Sequence, residues 1–185
     1  YTNEELLEYL NQFRDNNIYA IAELLRRGES VDKIHDITKI TSYFLEAFNN
    51  IVKMEKLLKE NPKNVDVLKD AKKMGFGDKF IAKLWDCNEL EVFEIRHKNQ
   101  IFPVFRMVDT CHTNAYIPYF YSSYNGKNES IKTDRKKIVV LGAGPIRIGQ
   151  GVEFDYSTVH AVQTIKESGY EAIIINNNPE TVSTD

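Results

Sequence analysis

Apolar positions recur at helical spacing through the first hundred residues, and then the period changes. Leu6, Leu7, Leu10 and Phe13 form one stripe behind Thr2 and Glu5, which have capping-box spacing, so the chain opens with a helix that Asn16 and Asn17 break. Ile18, Ile21, Ala22, Leu24 and Leu25 predict a second helix ended by Gly28, and Ser30 caps a short third one carrying Val31, Ile34 and Ile37. A longer helix is predicted over 42–60, with Phe44, Leu45, Phe48, Ile51, Val52 and Leu58 inward and Asn61-Pro62 as its stop. Val65, Leu68, Ala71 and Met74 make the next, closed by Gly75. Asp78 is the expected cap of the one after, which bears Phe80, Ile81 and Leu84. Asn88 with Glu91 gives a second capping box in front of Leu90, Val92, Phe93 and Ile95.

These helices read as two copies of one design. Gly28, Ile34, Leu45 and Phe48 match Gly75, Ile81, Val92 and Ile95 at a constant spacing of 47 residues (75 − 28, 81 − 34, 92 − 45, 95 − 48), with a glycine turn and a cap recurring in step. The same order of helix, glycine turn, short helix and longer helix also resembles helix-turn-helix DNA binders. Charge argues against that use. The last helix sets Glu89, Glu91 and Glu94 against Arg96 and Lys98, and residues 1–130 carry 18 Lys and Arg against 20 Asp and Glu, so phosphates would find little to bind.

From Ile101 to Tyr124 the chain is heavy in aromatic and β-branched residues, interrupted by Pro103 and Pro118, and reads as extended segments. They serve either an ordinary core or a contact with a neighbouring domain or subunit. Asn125 to Arg135 is polar, without apolar periodicity, and forms the natural boundary. Beyond it, Lys136 to Leu141 is a short apolar run ending in glycines. Thr158 to Ser168 carries a helical pattern on Val159, Val162 and Ile165, stopped at Gly169, and Ala172 to Ile175 is a second apolar run. Strand, glycine loop, helix and strand in that order predict a β-α-β unit with its two strands parallel.

Gly142, Ala143 and Gly144 begin like a dinucleotide fingerprint, but its third glycine would fall at Arg147. The second strand ends in Asn176, Asn177 and Asn178, where that fingerprint expects an acid. A tight turn and close packing account for Gly142 and Gly144. They leave Arg147, Gln150, Glu153 and Asp155 as a polar cluster at the ends of parallel strands, where open sheets place ligands.

Composition narrows the picture a little. At 185 residues the chain is long enough for a sizeable core, and a formal charge of −3 with a pI near 5.9 offers no basic surface in bulk. No apolar run approaches the ~20 residues of a membrane span, and the first residues are too polar for a secretory signal. Cys87 and Cys111 make no disulfide framework, and with His97 and His112 they lack zinc-site spacing, so no metal site is expected.

GPIRIGQGVEFDYSTVHA followed by NNNPETVSTD resembles the second of the two matching halves of the large subunit of carbamoyl phosphate synthetases. IAELLRRGESVDKIHDITKITSYFLEAF resembles the oligomerisation domain that connects those halves, and FRMVDTCHTNAYIPYFYSSY its exit segment, so the likeness is collinear over essentially the whole chain. One departure is visible, His112, Thr113 and Asn114 standing where the family has small residues and an acid.

The resemblance implies a mainly α-helical connection domain over 1–124 with an extended aromatic exit, a linker over 125–135, and from 136–185 the start of a Rossmann-like α/β pre-ATP-grasp domain. It implies a ligase that makes carbamoyl phosphate from bicarbonate, glutamine-derived ammonia and ATP consumed twice, on the way to arginine or pyrimidines. Arg147, Gly151, Glu153 and Glu180 would line the tunnel for carbamate, with Gly142, Gly144 and Gly149 shaping loops, and no catalytic residue or metal ligand would lie here. Beside Pro179, Glu180 equally fits a turn or helix-start carboxylate.

The implied cofactors are ATP, Mg or Mn, and K in the full-length enzyme, none of them held by this segment. The implied partners are the rest of the large subunit, a glutaminase subunit or domain, and further copies through the helical domain, with no nucleic acid and no membrane. The implied compartment is the cytoplasm, or an organelle in a eukaryote. Two parallel strands alone leave edges and a face uncovered, so the chain reads as a fragment, inactive in isolation. The alternative is a free-standing helical module that binds DNA or protein.

Overall fold

Leu45 and Leu58 are both fully buried on one helix, yet they belong to two different hydrophobic cores. That helix, Ser42–Glu60, has 19 residues, a length of about 28 Å at 1.5 Å per residue. In the computed structural model the described residues are 1–109, 115–144 and 150–176, with the side chain of Val152 left aside. Among them the helices are α1 (Asn3–Leu10), α2 (Asn17–Arg26), α3 (Val31–Thr38), α4 (Ser42–Glu60), α5 (Val65–Lys73), α6 (Asp78–Trp85), α7 (Glu89–Lys98) and α8 (Gly151–Glu167). The strands are β1 (Val104–Met107), β2 (Phe120–Ser123), β3 (Lys137–Leu141) and β4 (Glu171–Ile175). The chain divides into two units, one of Tyr1–Val104 with Ser122–Lys127, the other of Phe105–Tyr121 with the chain from Asn128 onward.

In the helical unit, the first half of α4 closes a core with Leu6, Leu10, Ile21, Leu24 and Ile34 from α1, α2 and α3. Its second half closes another with Leu68, Ala71, Ile81, Trp85 and Val92 from α5, α6 and α7. Trp85 ties the second core down by donating its indole N–H to the Leu58 carbonyl at 2.9 Å. The two halves repeat. α3 and α6 are both eight residues long and begin 47 residues apart (78 − 31), as do α4 and α7 (89 − 42).

Even the turns coincide. After α2 the Glu29 N–H reaches the Leu24 carbonyl at 2.9 Å and the Gly28 N–H reaches Leu25 at 3.0 Å. After α5 the Phe76 N–H reaches Ala71 at 3.1 Å and the Gly75 N–H reaches Lys72 at 3.0 Å. This Schellman pairing needs a left-handed residue, and the φ angles of Gly28 and Gly75 are +86° and +92°. Gly75→Ala is therefore expected to cost about 1–2 kcal/mol, read as a lower urea midpoint at unchanged slope.

Several apolar residues assigned inward by periodicity lie outside. Helix α1 ends at Leu10, so Phe13 falls beyond it, at φ 47° and 69% exposed. Ile18, Phe44, Ile51, Met74, Phe80, Leu90 and Phe93 are exposed as well, because the stripe counted on each helix is wider than the face that two small cores can cover. On α4 the inward place falls instead to Glu55, which accepts from Arg26 Nε at 2.9 Å and Lys59 Nζ at 3.0 Å. Asp78 is not a cap. Gly77 holds that position, and the Asp78 carboxylate turns inward to Lys72 and Arg96. The capping boxes at Thr2/Glu5 and Asn88/Glu91 and the Ser30 cap form as predicted.

In the second unit, β3 and β4 pair in parallel, Val139 opposite Ile173 and Leu141 opposite Ile175. Helix α8 packs on both strands and ends at Gly169, φ +81°. Val159, Val162 and Ile165 are half-buried on it, while Val139, Leu141, Ile173 and Ile175 are exposed on the sheet. The polar stretch after Lys127 is held in place. Glu129 accepts from the Met107 N–H at 2.8 Å and from Arg106 Nε at 2.9 Å, two bonds that keep its carboxyl below the ordinary range, and Asn128 Oδ1 accepts from the Phe105 N–H at 3.0 Å.

Candidate functional site

The ends of β3 and β4 meet at a glycine that has no room for a side chain. The Gly142 N–H donates to the Ile175 carbonyl at 2.8 Å, and a Cβ at Gly142 would stand 2.7 Å from Asn176 Cγ. The asparagine at the end of β4 thus occupies the space over the first glycine. Gly144 follows at φ +76°. The chain re-enters helix at Gln150, which takes the N-cap position of α8 without a side-chain cap bond. Gly151 and Glu153 stand in the first turn, Gly151 half-buried and Glu153 exposed, so a carboxylate lies where the helix carries partial positive charge.

One turn further, Asp155 is fully buried and Thr158 nearly so. A buried carboxylate persists only when engaged, and Asp155 takes part in such an interaction. Its i,i+3 spacing with Thr158 on an otherwise apolar face was the sequence signal for a polar anchor, though only Asp155 stood out by type. Arg147, Gly149 and Glu180, with Asn177 and Asn178, lie outside the described residues. What the structure brings together is thus Gly142 with Asn176, and Gly151 with Glu153.

The helical unit offers a different chemistry. Arg96, the cation expected to serve a DNA-reading helix, points inward to Asp78 and the Ile101 carbonyl, leaving α7 with Glu89 and Glu94 exposed. Burial pushes the Cys87 thiol up, and the charge of Glu91 adds to it, so this cysteine is a poor nucleophile. Cys111 and His112 lie outside the described residues. Among the described residues no three His, Cys, Asp or Glu side chains cluster to hold a metal ion, and no helix is long and apolar enough to cross a membrane.

A helical connector of two repeats, followed by a parallel β-α-β opening, defines the class of protein. Two family models match in the same order. Residues 1–100 match the oligomerisation domain of the carbamoyl-phosphate synthetase large chain, and residues 134–185 match the carbamoyl phosphate synthase preATP-grasp domain. The chain belongs to the carbamoyl-phosphate synthetase large chain family.

Proposed function

We propose that this chain joins the two halves of a glutamine-dependent carbamoyl phosphate synthetase. Its helical unit mediates assembly into oligomers, and its β-α-β unit contributes to the passage that carries carbamate to the second phosphorylation. The observation that supports this reading is the collinear match of both domains on one chain. In this reading the whole protein works with a glutaminase subunit or domain and uses ATP with Mg or Mn, and K, bound elsewhere.

Arg147, Gly151, Glu153 and Glu180 are the proposed tunnel residues. A glycine at 151 keeps a bore open, Arg147 suits an anion with its paired N–H donors, and the two carboxylates keep the wall polar. Gly151→Leu in the full-length enzyme tests this. Gly151 opens α8 and is not among the glycines at positive φ, so its backbone conformation is one that a leucine adopts. ATP hydrolysed per carbamoyl phosphate formed is expected to rise several-fold, since carbamate lost on the way decomposes; an unchanged ratio would remove Gly151 from the passage.

A further inference from the structure

The second helical repeat buries a set of charges that the first lacks. Lys72 Nζ donates to Asp78 Oδ1 and to the Phe76 carbonyl, both at 2.7 Å. Arg96 donates to Asp78 Oδ2 through Nη2 at 2.9 Å and Nε at 3.1 Å, and through Nη1 to the Ile101 carbonyl at 3.0 Å. The three side chains are only 7%, 12% and 10% exposed, in the order Lys72, Asp78, Arg96. Two cations thus share one carboxylate in a nearly closed site. The ring of Tyr124 stands against both, 4.9 Å from Lys72 Nζ and 5.8 Å from Arg96 Cζ to its centroid. An aromatic face is a neutral group that attracts a desolvated cation, which is what the excess positive charge calls for. Beside it, Asn125 Nδ2 donates to the Lys73 carbonyl at 3.0 Å.

The internal repeat gives this cluster a meaning. At the 47-residue spacing, Lys72, Asp78 and Arg96 correspond to Leu25, Val31 and Asn49. The first repeat needs no such charges, because Leu6 and Leu10 of α1 join Leu25 in its core. The second core is closed instead by Ile101, with Tyr124 packed against it. We infer that Lys72, Asp78 and Arg96 form a clasp that grips the ring of Tyr124 and so holds the strap Ser122–Lys127 on the second repeat. The segment that leads on toward β3 then leaves the helical unit from a fixed point. The strap begins in β2, which pairs with β1, and beyond that strand the Tyr124 ring and the Asn125 amide anchor it, the ring being the one that meets the buried charges.

Hydrogen exchange on the natural full-length chain tests this. In Tyr124→Ala, exchange across Ser122–Lys127 is expected to rise at least about tenfold while α5, α6 and α7 keep their protection, the pattern of a local opening. Tyr124→Phe keeps the ring face and is expected to stay within about twofold of the parent. Unchanged exchange in Tyr124→Ala would overturn the clasp, and so would a Tyr124→Phe strap that exchanges as fast as the alanine variant. Should Tyr124→Ala fail to fold, Lys72→Met removes one cation and leaves Arg96 paired with Asp78. A several-fold rise confined to the strap supports the clasp, and parental exchange there overturns it.

Discussion

Asp78→Ala is expected to destabilise the helical unit by about 3–5 kcal/mol, because it strips the shared carboxylate from two buried cations at once. The charges left behind, not the lost ion pairs, set that size. Lys72→Leu, Asp78→Val and Arg96→Met together, two of them the first repeat's own residues, are therefore expected to leave stability at or above the parent's. Urea titration of both variants checks this, and an Asp78→Ala loss below about 1 kcal/mol would sink the argument.

Acid gives an independent reading of the same group. Burial pushes the Asp78 carboxyl up, but hydrogen bonds from Lys72 and Arg96 and their charges outweigh it and leave it below its ordinary 3.8. A depressed carboxyl contributes stability that is whole above the unfolded value and disappears as pH falls through the folded one. The parent should thus shed this contribution below about pH 4, and Asp78→Ala should show no such step.

Leu58→Ala and Leu45→Ala should each cost about 2–5 kcal/mol, since both side chains are fully buried and neither site can collapse easily around α4. The damage should fall in different places. Exchange is expected to rise in α5, α6 and α7 for Leu58→Ala and in α1, α2 and α3 for Leu45→Ala. Equal loss of protection in both cores from either variant would show one cooperative core in place of two.

Local signals in the sequence proved dependable, and distant partners did not. The capping boxes, the bounds of α4 and the glycine turns follow from residues within one helical turn of each other, so they could be read directly. Asp78 looked like a cap because its partner Arg96 lies 18 residues on, and Glu55 was not counted among the inward positions because its partner Arg26 lies 29 residues back. Both carboxylates were turned inward by cations that periodicity cannot see. At the candidate site the turn glycines were legible. The reason for Gly142 was not, because Asn176 reaches it only once β3 and β4 are paired.

Helix α4 also sets a phase. Leu45 and Leu58 are 13 residues apart (58 − 45) on one unbroken helix, so the two repeats are geared to a common axis. At 3.6 residues per turn, one residue inserted between them would rotate one core against the other by about 100°, and the leucines could no longer both face their own cores. Single-residue insertions or deletions within this part of α4 are thus barred by rotation alone, even where the inserted residue favours helix.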